Sequence, residues 1–435
     1  MYTDTHGPGS SYNDRRSERY MGFWYPWGWV PNVMRIAMIS EHASPLAAIA
    51  GVDAGGQNIH VARLAAALAG RGHTVHVYTR RDDEALPERV TTADGYVVHH
   101  VPAGPPVALP KDDLLPYMRE FGRWLAAAWS RADAPHLVHA HFWMSGVAAA
   151  EAIQQVPRPL VVTYHALGSV KRRMQGAADP SPRERLELER MVAQTAARVI
   201  AQCSDEVREL AGYGVERNRI SVVPSGVDTD VFRPGEPSEM PSSPPRVLTV
   251  GRMVERKGFA EVVKALPGLP RAELVVAGGP AQYRLKDDPV ACDLMSLAHR
   301  LGVADRVRLL GSVAPEQMPH WYRSADVVAC TPAYEPFGIT PLEAMACGTP
   351  VVAYRVGGLQ DTVVDGQTGA LVAPGDVAEL TRRLQELLAD NELRLACGKA
   401  ARLRTEEHYP WPRIAERIEQ VYTRALATAP AHALV

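Results

Sequence analysis

The chain has 435 residues, a formal net charge of −2 and 46% hydrophobic residues. Domains usually hold about 100–200 residues, so this length predicts two cores rather than one. The near-zero charge argues against a nucleic-acid binder that works through a basic surface. No apolar run reaches the roughly 20 residues that a membrane-spanning helix needs. The five cysteines are scattered without a CxxC pair, which fits reduced thiols and a cytoplasmic location.

Residues 1–33 differ from the rest of the chain. The first twenty are polar, and 22–31 (GFWYPWGWVP) hold five aromatics in ten positions. The aliphatic stretch and small-residue cleavage site of a signal peptide are missing. This segment reads as a disordered leader or an upstream translation start, with Met34 a sensible start. A membrane-surface or partner contact is the other reading.

From residue 34 onward, apolar runs alternate with helix-like stretches. The first run is 35–40 (RIAMIS), followed by Gly55-Gly56 and an Ala/Leu-rich helix. Further runs are 74–79, 97–101, 137–141, 160–165 and 199–202. Such alternation predicts a parallel sheet with crossover helices. The stretch 234–245 (PGEPSEMPSSPP) interrupts it, because proline cannot donate to a ladder. The pattern then restarts, with runs at 246–250, 272–277, 306–310, 326–330, 350–353 and 369–372. The expected fold is α/β, with two Rossmann-like, doubly wound domains in tandem. The boundaries are 34–235, a linker at 236–245, 246–408, and a final helix at 409–426 after a proline kink.

Notable residues follow these strands, where open parallel sheets bind ligands. In EPFGITPLE, from Glu335 to Glu343, Gly338 permits close backbone approach. Thr340 is a suitable N-cap and Pro341 a suitable first helical residue. A helix starting there offers free N–H groups and a positive dipole end to a diphosphate. Carboxylates beside phosphate would repel it, so Glu335 and Glu343 are expected to accept hydrogen bonds from sugar and ribose hydroxyls. Arg252 and Lys257 add cations after another strand. Gly55-Gly56 lacks the G-x-G-x-x-G spacing of a dinucleotide site, which argues against a nicotinamide oxidoreductase. His139 and His141 share one side of a strand, yet no third ligand has convincing spacing, so no metal is expected. His165 ends a strand, where a neutral imidazole can meet a sugar hydroxyl.

On these residues the chain resembles the retaining glycosyltransferases of family 4, whose two facing Rossmann-like domains form the GT-B fold. The stretches that carry the resemblance include GGQNIHVARLAAALAGRGHTVHVYT, VHAHFWMSG, VTYHALGSVKRR, VVPSGVDTDVFRP, VGRMVERKG and EPFGITPLEAMACGTPVVA. It runs from about Met34 to Leu426. The pattern is similar to that of the inositol-phosphate N-acetylglucosaminyltransferases of mycothiol synthesis and the bacterial sucrose-phosphate synthases.

The resemblance implies a nucleotide-sugar donor, UDP first and GDP second, a small-molecule acceptor and no required cofactor. Gly55 and Gly56 would approach the donor phosphates. Arg252 and Lys257 would neutralise the leaving diphosphate, cradled by Phe337, Gly338, Ile339 and Thr340. Glu335 would hold the transferred sugar, Glu343 the ribose, and His165 would lie near the reacting centre. The final helix would cross back onto the first domain. Asn58, Lys111, Phe142, Ala166 and Arg185 fall at the acceptor positions. The inositol-phosphate enzymes have Tyr at Phe142 and Thr at Ala166, so two hydroxyls that could bind an acceptor phosphate are missing. Lys171, Arg172, Arg173 and Arg185 leave an anionic acceptor open, against a solvated helix face. A sugar-nucleotide-binding protein without transfer activity is the competing reading. The oligomeric state is left open, a homodimer being one option.

Overall fold

The structure is a computed structural model describing residues 31–47, 55–130, 134–235 and 244–428, with the backbone of two strands at 23–25 and 28–30. Most of the expected leader (1–22) and of the linker (236–243) therefore lies outside the described residues. Within the leader, β1 (Phe23–Tyr25) pairs antiparallel with β2 (Gly28–Val30).

The first sheet contains β3 (Arg35–Ile39), β4 (Thr74–Arg80), β5 (Arg89–Thr91), β6 (Val97–Val101), β7 (Leu137–His141), β8 (Leu160–Thr163), β9 (Arg198–Ala201) and β10 (Ile220–Val222). Its order is β10-β9-β8-β7-β3-β4-β6-β5, parallel except for the β5–β6 pair. The short outer strands β5 and β10 were not visible as apolar runs.

The second sheet contains β11 (Arg246–Val250), β12 (Glu273–Ala277), β13 (Val307–Gly311), β14 (Val327–Cys330), β15 (Val351–Tyr354) and β16 (Gly369–Val372). Its order, β13-β12-β11-β14-β15-β16, is that of a doubly wound sheet.

Alternate residues of each strand point to opposite faces, and helices cover both. In the first sheet, Ala37 and Ile39 face the helices Met118–Trp129 and Trp143–Gln155. Ile36 and Met38 face Gly56–Gly70 and the last helix, Trp411–Ala427. Ile414, Ile418, Val421 and Tyr422 of that last helix are buried against the first domain. The chain returns from the second domain at Pro410, which pairs with Val227. In each sheet the strand order reverses beside its first strand, at β3/β7 and at β11/β14. The loops leaving those strands flank the crevices where such sheets bind ligands.

Candidate active site

At the β11/β14 crevice, two loops are locked together by glycine. Gly258 has φ +71°, and a Cβ there would lie 1.8 Å from the Thr331 carbonyl oxygen. Only a residue without a side chain fits, so the loop after β11 closes directly onto the loop after β14. The hydroxyl of Thr331 donates to the Gly258 carbonyl at 2.8 Å. This closure brings Lys257 to Glu335, with Nζ 2.5 Å from Oε2. Both side chains keep some exposure, 19% and 16%, so they line an open pocket rather than a sealed core. Arg252 stands exposed on the same loop as Lys257.

A second glycine pair holds the other side of Glu335. The Gly358 N–H donates to the Glu335 carbonyl at 3.1 Å. A Cβ on Gly357 would lie 2.0 Å from that oxygen, and one on Gly358 would lie 2.5 Å from the Phe337 Cα. Glu335 is thus fixed by backbone contacts from β15's loop and by the Lys257 ion pair.

The helix that follows begins two residues earlier than the sequence suggested. It spans Ile339–Ala346, with Gly338 as N-cap at φ +87° and no side-chain cap. Thr340 is therefore the second helical residue and Pro341 the third. The reason is Gly338 itself, which reaches the positive φ that turns the chain before Thr340 can cap it. The uncapped start leaves its N–H groups pointing into the pocket lined by Lys257, Glu335, Gly338, Ile339 and Thr340.

Glu343, one turn further on, accepts from the Tyr322 hydroxyl at 2.7 Å. Burial pushes its pKa up to about 7, with the Tyr322 hydrogen bond pulling the other way. Phe337 was expected among the donor contacts, but its side chain is buried against Val227, Leu342, Ala346 and Tyr409. It anchors the loop in the core, and only its backbone remains near the pocket.

The first domain meets this helix start directly. A Cβ on Gly56 would lie 3.2 Å from Ile339 Cδ1. Gly55-Gly56 and the helix start, far apart in the chain, face each other across the cleft. Asn58, expected at the acceptor, is instead committed to this loop. It is 5% exposed, accepts from the Gly55 N–H at 3.1 Å and donates to the Ser44 carbonyl at 2.9 Å.

His165 does not end a strand. β8 ends at Thr163, and His165 sits in the following loop at φ +60°. Its Nδ1 lies 3.1 Å from Gln202 Oε1, and its Nε2 lies 3.0 Å from His141 Nδ1. Desolvation holds its pKa well below the usual imidazole range, so the ring is neutral. In the free chain both ring nitrogens therefore have partners within the protein.

The structure also supplies a histidine that spacing could not reveal. His60, on the helix Gly56–Gly70, joins His141 and His165 so that one ligand atom of each lies within 4.8 Å of the others. His139 points away, to Tyr422 and Thr163. The mutual hydrogen bond of His141 and His165 occupies one nitrogen of each. His60 Nδ1 bonds the Ser225 hydroxyl at 2.9 Å, whereas His60 Nε2 and His141 Nε2 are buried without a hydrogen-bond partner among the described residues, and burial lowers the His60 pKa to about 4.

Four of the five residues expected at the acceptor, Lys111, Phe142, Ala166 and Arg185, come together. Lys111 Nζ and the Arg185 guanidinium carbon lie 5.9 and 5.4 Å from the Phe142 ring centre. Arg185 is buried, and each of its nitrogens already has an acceptor: Glu189 at 2.8 Å, Ser181 at 3.0 Å and the Ala166 carbonyl at 2.7 Å. Lys171 is likewise paired with Asp179 at 3.0 Å, and Arg173 with Glu209 at 2.7 Å.

This geometry can be set beside known proteins. Residues 54–231 match the family described as Glycosyltransferase Family 4, and residues 235–404 match Glycosyl transferases group 1. A D-inositol 3-phosphate glycosyltransferase of Xylanimonas cellulosilytica is 38% identical, over 91% of this chain and 98% of its own length. The chain belongs to glycosyltransferase family 4. The D-inositol 3-phosphate glycosyltransferase of Mycolicibacterium smegmatis is 36% identical over 90% of this chain and 92% of its own. Among solved structures, sucrose-phosphate synthase from Thermosynechococcus elongatus superposes with a TM-score of 0.81 at 32% identity, covering 91% of this chain and all of that one. Anabaena HepE, solved with UDP and glucose, shares the fold at a TM-score of 0.68 and 22% identity, over 90% and 99% of the two chains. This glycosyltransferase therefore has the GT-B fold. No helix among the described residues is long and apolar enough to cross a membrane.

Proposed function

We propose that this glycosyltransferase moves a hexosyl unit, with retention of configuration, from a nucleoside-diphosphate sugar to a small hydroxylated acceptor. The observation that carries the donor reading is the meeting of Gly56 with Ile339 beside the Lys257–Glu335 pair. One pocket then holds free helix N–H groups, a cation and a carboxylate, which suit a diphosphate and a sugar respectively. UDP is the first choice of nucleotide and GDP the second, from their frequency in the family.

In this mechanism the glycosyl carbon passes through an oxocarbenium-like state as the diphosphate leaves. Lys257, Arg252 and the start of the helix Ile339–Ala346 stabilise the charge growing on that leaving group. These cations take the part that a metal plays in other transferase folds, so none is required. When donor binds, Lys257 turns from Glu335 towards phosphate, and Glu335 is released to accept from sugar hydroxyls. Glu343 accepts from the ribose. The leaving phosphate assists deprotonation of the acceptor on the same face.

The relatives' names specify inositol phosphate, but Phe142 and Ala166 lack hydroxyls and Arg185 is already engaged. These features favour an acceptor recognised through hydroxyls over one recognised through phosphate. Thermal-shift screening of UDP-, GDP- and ADP-sugars, followed by NMR of the product anomer, tests the reading. Tight donor binding with no transfer to a broad acceptor panel would favour the competing reading, a catalytically silent sugar-nucleotide binder.

A further inference from the structure

We propose that His60, His141 and His165 form a binding site in the first domain for a late first-row divalent cation of the zinc type. The inference is independent of the donor reading, which meets the diphosphate with Lys257 and Arg252. Spacing along the chain gave no third ligand, but the fold supplies one in His60. The rings come from the helix Gly56–Gly70, the last residue of β7 and the loop after β8. One ring nitrogen of each lies within 4.8 Å of the other two. Zinc binds imidazole at about 2.0–2.1 Å, so two ligands of a tetrahedral ion stand roughly 3.3 Å apart. His141 Nδ1 and His165 Nε2 are already 3.0 Å apart. His60 has at most about 1.5 Å to close.

Hydrogen bonds around the cluster orient the rings as ligands. Gln202 Oε1 can only accept, so His165 carries its proton on Nδ1 and keeps a lone pair on Nε2. Ser225 Oγ can accept from His60 Nδ1 in the same way, which leaves a lone pair on His60 Nε2. Bonds of this kind fix the tautomer of a metal-binding histidine. His60 is 3% exposed and His141 fully buried, and the Nε2 atoms of both have no hydrogen-bond partner among the described residues. Buried polar atoms left unpaired cost free energy, which a ligand can recover. His141 can present Nδ1 to a cation by moving its proton to Nε2, which no hydrogen bond holds. A cation thus exchanges one hydrogen bond between neutral rings for three metal–nitrogen bonds. Burial keeps all three pKa values below the usual imidazole range, so protons do not compete for the lone pairs near neutral pH. Three imidazoles suit zinc or cobalt, whereas magnesium prefers oxygen ligands. His165 is the one ring of the three with some exposure, and it provides the route of entry.

The test is titration of the chelator-treated full chain with ZnCl2 and with CoCl2, against a competing chromophoric chelator. One ion per chain is expected, with the visible absorption of tetrahedral cobalt. Ser225→Ala is expected to weaken zinc binding about 10–100-fold, the range for losing the partner of a ligating histidine, and His60→Gln at least about 100-fold. His299→Gln, at an exposed position on the helix Pro289–Arg300, is expected to leave the affinity unchanged. A large excess of MgCl2 is expected not to displace zinc. No stoichiometric binding by the wild-type chain, unchanged affinity in His60→Gln or Ser225→Ala, weakened binding in His299→Gln, or displacement by MgCl2 overturns the proposal. Should His60→Gln fail to fold, Ser225→Ala and the cobalt spectrum decide the matter.

Discussion

Lys257 and Glu335 hold opposite charges 2.5 Å apart at the edge of solvent, in the pocket at the start of the helix Ile339–Ala346. Such a pair contributes little to stability when partly exposed. Its value is positional, because each charge keeps the other in place until donor arrives. Lys257→Ala is expected to lower kcat about 10²–10³-fold, by analogy with the loss of an oxyanion-hole donor. Steady-state kinetics at saturating acceptor would check this, and wild-type turnover would remove Lys257 from the chemistry. Glu343 makes a separate prediction. Its pKa is raised to about 7, so it loses its carboxylate character as the pH falls through that value. KM for the donor is expected to rise on acidification, and Glu343→Gln to abolish that dependence. In the free chain the sign is opposite. The folded state binds the proton more tightly than the unfolded one, so this group's penalty is absent in acid and grows as pH rises towards about 7.

At the scale of elements, the site depends on loops brought closer than side chains allow. The loop after β11 meets the loop after β14 at Gly258, and β15's loop meets the 335–337 backbone at Gly357 and Gly358. Gly258→Ala would place a methyl group inside a carbonyl oxygen and ask alanine to hold φ +71°. We expect a destabilisation of about 1–3 kcal/mol, the range for strained backbone sites. For a domain of this size each kcal/mol lowers Tm by roughly 2–4 °C. Activity should fall further than stability alone explains, since Lys257 adjoins the displaced residue. Calorimetry combined with donor titration separates the two effects. An unchanged Tm would show that the loops can part without cost.

At the scale of the molecule, the two domains are joined by more than the returning last helix. Asp361 of the second domain accepts from the Ser204 backbone N–H at 2.6 Å and from its hydroxyl at 2.7 Å. It thereby caps the helix Ser204–Gly212 of the first domain, whose own N-cap position, Cys203, supplies no side-chain bond. Gln360 adds a bond to Asp205 at 2.9 Å. Losing a cap costs about 0.5–2 kcal/mol, so this bond favours the arrangement in which the two domains meet. Asp361→Ala is expected to raise the donor KM by about 2–30-fold, the same energy expressed as a ratio. Small-angle scattering of the free protein should show a larger radius of gyration. Equal radii and equal KM values would mean that the contact does not hold the domains together.

The sequence by itself determined the architecture. Short, continuously apolar runs separated by helices can be satisfied only by parallel strands buried on both faces, and the tandem repeat of that pattern implies two such sheets. It also marked Gly56, Lys257, Glu335 and Gly338, because glycine and charge after buried strands have few structural uses. Other features were settled only by tertiary contacts. Whether Thr340 or Gly338 caps the helix depended on a backbone turn packed under Gly357 and Gly358. The partners of the His165 ring, Gln202 and His141, are not adjacent to it in sequence. His60 joined them only because the helix Gly56–Gly70 packs beside β7. Asn58, Phe337 and Arg185 have residue types that suit a ligand, yet each has partners within the fold: Gly55 and Ser44 for Asn58, Val227 and Tyr409 for Phe337, and Glu189, Ser181 and the Ala166 carbonyl for Arg185. A side chain's chemistry is local and can be read from the chain, whereas its partners are chosen by the fold, and those partners decide whether that chemistry remains available to a substrate.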